Sequence, residues 1–231
     1  MKVFTKTGSV LMTAAMLVST AGCSLLGGGS RIGPSAISEF ADGESSERYD
    51  DADDFIDLIE DLNSNENSIK KIKDGVHITL EGKDLKNFFK SSRIGGTGYT
   101  SFSYDKTMTQ ATIYYIGGQK SDKKWAFSAL SIEFEDEEAA EEYFDDSVDS
   151  IESGVERLEM QMDCDTDDGD ENGISYIIVS ASNSTSAIYE GIYRDGNTVL
   201  FIVSADVGGK EGSKKIDSFC ETMGLVSPKD A

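Results

Sequence analysis

Cys23 follows the small residues Thr20-Ala21-Gly22 at the end of an apolar run and precedes Gly27-Gly28-Gly29-Ser30. Elsewhere, Asp163-Cys164-Asp165-Thr166-Asp167-Asp168-Gly169-Asp170-Glu171 invites a calcium reading, with Asp163, Asp165 and Asp167 at the first, third and fifth positions of an EF-hand loop. The pattern then breaks, because Asp168 stands where the turn glycine belongs and Ile174 where the bidentate glutamate belongs. The segment is therefore expected to be a solvated acidic loop, and those three aspartates are the only metal candidates. His77 is the sole histidine, so a multi-histidine zinc site cannot be built within one chain. Any Ser-His-acid or Cys-His mechanism would have to pass through it. Its alternation with Val76, Ile78 and Leu80 predicts an exposed strand histidine, and no G-x-S-x-G elbow accompanies it.

The two other thiols leave two readings open. Cys164 and Cys220 would form a disulfide outside the cytoplasm, or Cys220 is a core residue on an apolar stripe and Cys164 an exposed thiol. Val207-Gly208-Gly209-Lys210-Glu211-Gly212-Ser213-Lys214 lies where a phosphate loop would, but lacks the Gly-Lys-Ser/Thr spacing. It reads as a turn, as does Gly95-Gly96-Thr97-Gly98. Carboxylate pairs suited to a glycosidase acid and base are too numerous to single one out. No residue set predicts a cofactor.

Several elements have to carry these residues. Phe55, Ile56, Ile59 and Leu62 predict a helix over 53–62, with acids at its N-terminal end, where the helix dipole favours them. Asp74-Gly75 and Asp195-Gly196 signal hairpins, and Leu85, Phe88 and Phe89 a short helix over 83–92. Strands are expected at 98–104, 111–116, 125–134, 174–181, 187–193 and 198–205, from their aromatic and β-branched content. Phe144, Val148, Ile151, Val155, Leu158 and Met162 lay one stripe along a helix from about Asp136 to Met162. Ile216, Phe219, Cys220 and Met223 mark a closing helix with Ser213 at its N-cap. The expected fold class is α+β: a two-layer domain, an antiparallel sheet of hairpins with helices on one face, built as two related β-β-β-α units over 98–162 and 174–224.

The N-terminal segment has its own logic. Lys2 and Lys6 precede the apolar Val10–Val18 run, which is too short for a membrane-spanning helix of about 20 residues. Thr20-Ala21-Gly22-Cys23 resembles the lipobox of bacterial lipoproteins, departing from it at Thr20, where that family carries leucine or another aliphatic residue. The resemblance covers about the first 23 residues. It implies that residues 1–22 are a signal peptide removed after Gly22, and that Cys23 carries a diacylglyceryl group on its sulfur with palmitate-type acyl chains. Residues 23–48, rich in glycine and serine, are then expected to be a flexible lipid-anchored linker, with a weak amphipathic-helix pattern within 35–41 as the alternative for that stretch, and 49–231 one extracytoplasmic domain.

Charge narrows the partners. The chain of 231 residues carries −22, and losing residues 1–22 removes two lysines and no acid, giving −24. Sixteen acids face a single base, Arg157, between Asp136 and Asp170. Such a field repels nucleic acid and favours solubility, cations or basic partners. The expected protein is a lipoprotein of the cell membrane's extracytoplasmic face, a non-catalytic binding domain for an unidentified protein or small molecule. Tyr99, Tyr104, Tyr114, Tyr189 and Tyr193 are its candidate strand contacts. The alternative is an extracytoplasmic carboxylate-based hydrolase of cell-wall polymer or glycan, which would need an acid of raised pKa in a cleft.

Overall fold

A computed structural model describes residues 30–44, 47–48, 51–64, 76–91, 102–120 and 122–231. The strands are β1 (Glu47–Arg48), β2 (Val76–Glu81), β3 (Met108–Lys120), β4 (Lys123–Phe134), β5 (Asp163–Glu171), β6 (Ile174–Ser182), β7 (Ser186–Asp195) and β8 (Thr198–Val207). They make one sheet in the order β1-β2-β3-β4-β8-β7-β6-β5. Every pairing from β2 onward is antiparallel, and only the two-residue β1 runs parallel to its neighbour. The helices are α1 (Pro34–Glu44), α2 (Ala52–Ser64), α3 (Gly82–Ser91), α4 (Glu137–Leu158) and α5 (Glu211–Met223). The α+β class and the antiparallel sheet are as the sequence predicts.

The layering is not. In β8, Val199 and Phe201 join a core with α2, α3 and α4, while Leu200 and Ile202 join a second core with α1 and α5. The same split divides Ile113 from Tyr114 in β3 and Ile177 from Ile178 in β6. Successive strand residues point to opposite faces, so the sheet is covered on both. The expected two-layer arrangement with helices on one face is thus a three-layer one.

Pairing of β4 with β8 brings β2-β3-β4-α4 and β6-β7-β8-α5 side by side. The two-fold that relates antiparallel neighbours stands perpendicular to the sheet and keeps each face on its own side. It would leave both helices on one face, yet α4 packs in one core and α5 in the other. The expected pair of β-β-β-α units therefore extends to the strands alone. The first unit also draws its outer strand from β2 rather than from 98–104. Residues 102–105 form no strand, and Phe102 instead packs edge-on against Phe201 at 4.8 Å between ring centroids. The rest of that segment, and the hairpin expected at Asp74-Gly75, lie outside the described residues.

Helix α4 follows its stripe with a small rotation. Ala140, Phe144, Ser147, Ile151, Gly154 and Leu158 are its buried residues, and Asp136 caps it by accepting from the Ala139 amide at 2.9 Å. The hairpin between β7 and β8 turns through Gly196 and Asn197, with Gly196 at φ 58°, a conformation glycine adopts without cost.

The expected linker is corrected over most of its length. Ile32, Ile37 and Ala41 are completely buried in the second core, and α1 lies across β2, β3 and β4. Ser131 Oγ, itself buried, donates to the Ile32 carbonyl at 2.6 Å. Ser30 Oγ donates to Asp195 Oδ2 at 3.0 Å, the Arg31 amide donates to the same oxygen at 2.9 Å, and the Arg31 guanidinium donates to the Asn172 carbonyl at 2.8 Å. The folded domain therefore begins by Ser30, not at 49.

Candidate functional site

Helix α1 creates a polar groove against the sheet among the described residues. Pro34, Ser35, Ser38, Glu39 and Asp42 of the helix face Thr79 of β2 and Gln110 of β3 across an open cleft of about 330 Å³. Pro34 opens the helix, where its fixed φ is already helical and its missing N–H costs nothing. Ser38 and Asp42, one turn apart, then point together toward the sheet.

Three hydroxyls close the floor. Thr79 and Thr112, opposite each other in the β2–β3 ladder, have their Oγ1 atoms 2.8 Å apart. Ser38 Oγ lies 3.1 Å from Thr79 and 3.4 Å from Thr112, which is wholly buried. Beside them the Gln110 side-chain amide donates to Glu81 at 2.8 Å. At the far end His77 Nε2 sits 3.4 Å from Asp42 Oδ1. The walls thus present hydroxyls, one amide and the carboxylates of Glu39 and Asp42. That set is complementary to a ligand bearing several hydroxyl or ammonium donors.

His77 lies on the strand face opposite Val76, Ile78 and Leu80, as alternation predicts, but it is 3% exposed rather than wet. The reason is α1, which covers that face where the glycine-serine composition predicts a linker. Ser38 hydrogen-bonds to threonines, so no Ser-His pair forms among these contacts.

The calcium candidates fare differently from their expectation. Asp163, Asp165 and Asp167 stand in an extended edge strand, β5, not in a loop. Alternate residues of a strand are about 6.6–6.8 Å apart along one face, whereas one ion gathers its oxygens at about 2.3–2.6 Å. They form a row and do not converge, and no cluster of three metal-type ligands occurs among the described residues.

The disulfide reading is also overturned. Cys164 pairs with Ala181 in the ladder and shares the face of Ile177 and Val179, in the core with α4. Cys220 lies in the opposite core, with α5. The sheet stands between them, and both thiols are free. Burial pushes the Cys220 thiol up to about 12. Burial, then the charges of Glu159, Asp163 and Asp165, raise that of Cys164. Neither is poised as a thiolate nucleophile.

The glycine loop before α5 is a turn, as expected, and the structure adds the reason it cannot cradle phosphate. The buried Asp206 carboxylate accepts from the Gly212 amide at 2.9 Å and the Ser213 amide at 2.7 Å. It fills the place an anion would take, and it supplants Ser213 as the cap: the helix starts at Glu211, so Ser213 lies in its first turn. Of the tyrosines expected as surface contacts, Tyr114 and Tyr193 are fully buried, and Tyr193 Oη donates to the Val226 carbonyl at 2.6 Å. Tyr104 and Tyr189 pack half-buried against the two cores, and Tyr99 lies outside the described residues.

Sequence reasoning missed Ser38, Asp42, Thr79 and Thr112 as a set. The available signal was Gly33-Pro34 followed by Ile37, Phe40 and Ala41 at i, i+3 and i+4, a helix start and an apolar stripe inside the glycine-serine stretch. Compared with known proteins, the chain matches no family model and no curated sequence.

Proposed function

We propose that the chain is a membrane-anchored extracytoplasmic bacterial lipoprotein whose domain binds a ligand or partner and does not catalyse a reaction. The observation that carries the anchor is Thr20-Ala21-Gly22-Cys23 behind a basic start and a short apolar run. Two acyl chains on one cysteine hold a protein stably where one holds it marginally, at about 0.8 kcal/mol per buried methylene. Among the described residues no helix is long and apolar enough to cross a membrane, so the lipid is the proposed attachment.

The binding half of the reading is supported by the polar α1–β2–β3 groove and by the state of the reactive groups. The one histidine is buried behind α1, and both thiols are held protonated. A carboxylate hydrolase needs an acid pushed up toward neutrality. Asp105 and Glu211 are lowered instead, chiefly by hydrogen bonds from Thr107 and Lys214 respectively, so neither is such an acid.

Metabolic labelling with a palmitate analogue tests the anchor. Label on the wild-type chain, lost in Cys23→Ala together with membrane association, is the expected result. Label that survives Cys23→Ala would overturn it.

A further inference from the structure

We infer that the anchor fixes which end of the domain faces the membrane: the turns after β5 and β7 lie toward the bilayer, and the opposite, lysine-bearing end points away. The inference rests on the lipidation of Cys23 proposed above. Its geometry comes from the point where the chain enters the fold.

Seven peptide steps join Cys23 to Ser30. At full stretch a chain gains at most about 3.3–3.6 Å per residue, so Ser30 can stand no more than about 25 Å from the lipidated sulfur. From Ser30 onward the chain has no slack. The contacts of Ser30 and Arg31 with Asp195 and Asn172 place it beside the ends of β7 and β5, and the hydrogen bond from Ser131 fixes Ile32 next to it.

The ladder registers say what lies at each end. Asp195 pairs with Thr198 and Glu171 with Ile174, so these residues share the Ser30 end. At the other end Lys120 pairs with Lys123 and Lys124 with Val207. The ten residues of β8 separate the two ends by about 30 Å at roughly 3.4 Å per residue. An inverted domain, with the lysines on the bilayer, would hold Ser30 at least that far from it. Seven residues do not reach.

Charge acts in the same direction without deciding it. Asp170, Glu171, Asp195 and Glu137 outnumber Arg31 and Arg194 around the Ser30 end. Their repulsion of anionic headgroups fades over about 8 Å in physiological salt, well inside the reach of the tether. The domain therefore stands off the surface on a tether too short to let it invert. The exposed Lys120, Lys123 and Lys210 lie at the outward end, interleaved with the exposed Asp122 and Glu211.

Energy transfer to the membrane tests this. Full-length lipidated protein carries Cys164→Ser and a single added thiol, Glu171→Cys or Lys123→Cys; Cys220 is buried and stays unlabelled. Each labelled protein is reconstituted into phosphatidylethanolamine–phosphatidylglycerol vesicles containing an acceptor-labelled lipid. Transfer from position 171 is expected to exceed that from 123 several-fold, and the contrast should collapse when about 20 glycine-serine residues, adding roughly 65 Å of reach, are inserted between Gly29 and Ser30. Equal or reversed transfer in protein that floats with the vesicles overturns the orientation and leaves the anchor standing. Protein recovered unprocessed, which does not float, refutes the lipidation reading and the inference with it.

Discussion

Replacing Ile37 by alanine separates a folded α1 from a tether most sharply. Ile37 is wholly enclosed in the core it shares with Tyr114, Phe127 and Phe219. The substitution removes three carbons, a transfer loss of about 2.4 kcal/mol at ~0.8 kcal/mol per group. The void left under α1 adds to this, and comparable isoleucine truncations span about 2–5 kcal/mol, so about 3 kcal/mol is expected here. In a domain of this size that lowers the melting temperature by roughly 6–12 °C, at about 2–4 °C per kcal/mol. The assay is equilibrium urea unfolding of the purified chain starting at Ser24, followed by circular dichroism. Ser35→Ala, on the exposed side of the same helix, is the control and is expected within about 0.5 kcal/mol of wild type. An Ile37→Ala cost below about 0.5 kcal/mol would refute the packing of residues 30–44 and restore the longer linker.

Asp206→Ala leaves the Gly212 and Ser213 amides without their charged acceptor inside the protein and is expected to cost about 1.5–3 kcal/mol in the same assay. Tyr114→Phe acts the other way: its hydroxyl is buried with no hydrogen-bond partner among the described residues, so the variant is expected to unfold at equal or higher urea concentration. In alkali, burial holds Tyr114, Tyr115 and Tyr143 at about 12 against an ordinary 10. The folded state keeps protons that the unfolded chain releases, so stability is intact below pH 10 and falls as pH rises from 10 to 12. Ultraviolet titration should show these rings ionising only as circular dichroism reports unfolding. Non-reducing peptide mapping should find Cys164 and Cys220 as separate thiols, with Cys220 reacting only in denaturant.

Much of the fold was legible where side chains alone decide the element. The aromatic and β-branched runs of β3, β4 and β6 to β8, and the stripe of α4, are local patterns, and the elements form where they occur. What escaped depends on contacts distant in sequence. Helix α1 offers only a few apolar residues among glycines and serines, and the core formed by β3, β4 and α5 makes them count. Six acids in nine residues hide β5, because an edge strand can pair through its backbone while its side chains stay in water, where the charge also discourages further pairing. The covered second face did leave a trace. Ile177-Ile178-Val179 and Val199-Leu200-Phe201-Ile202-Val203 are unbroken apolar runs, the pattern of strands buried on both sides. Once that face is covered, His77 has to be inside. The groove was out of reach for the same reason, since Ser38 and Thr112 meet only after α1 docks.

The proposed anchor has a direct test in the intact mass of the protein extracted from the membrane fraction. The expected result is a chain beginning at Cys23 with a diacylglyceryl group on its sulfur. An unmodified Cys23, or a mature chain beginning anywhere else, would contradict it.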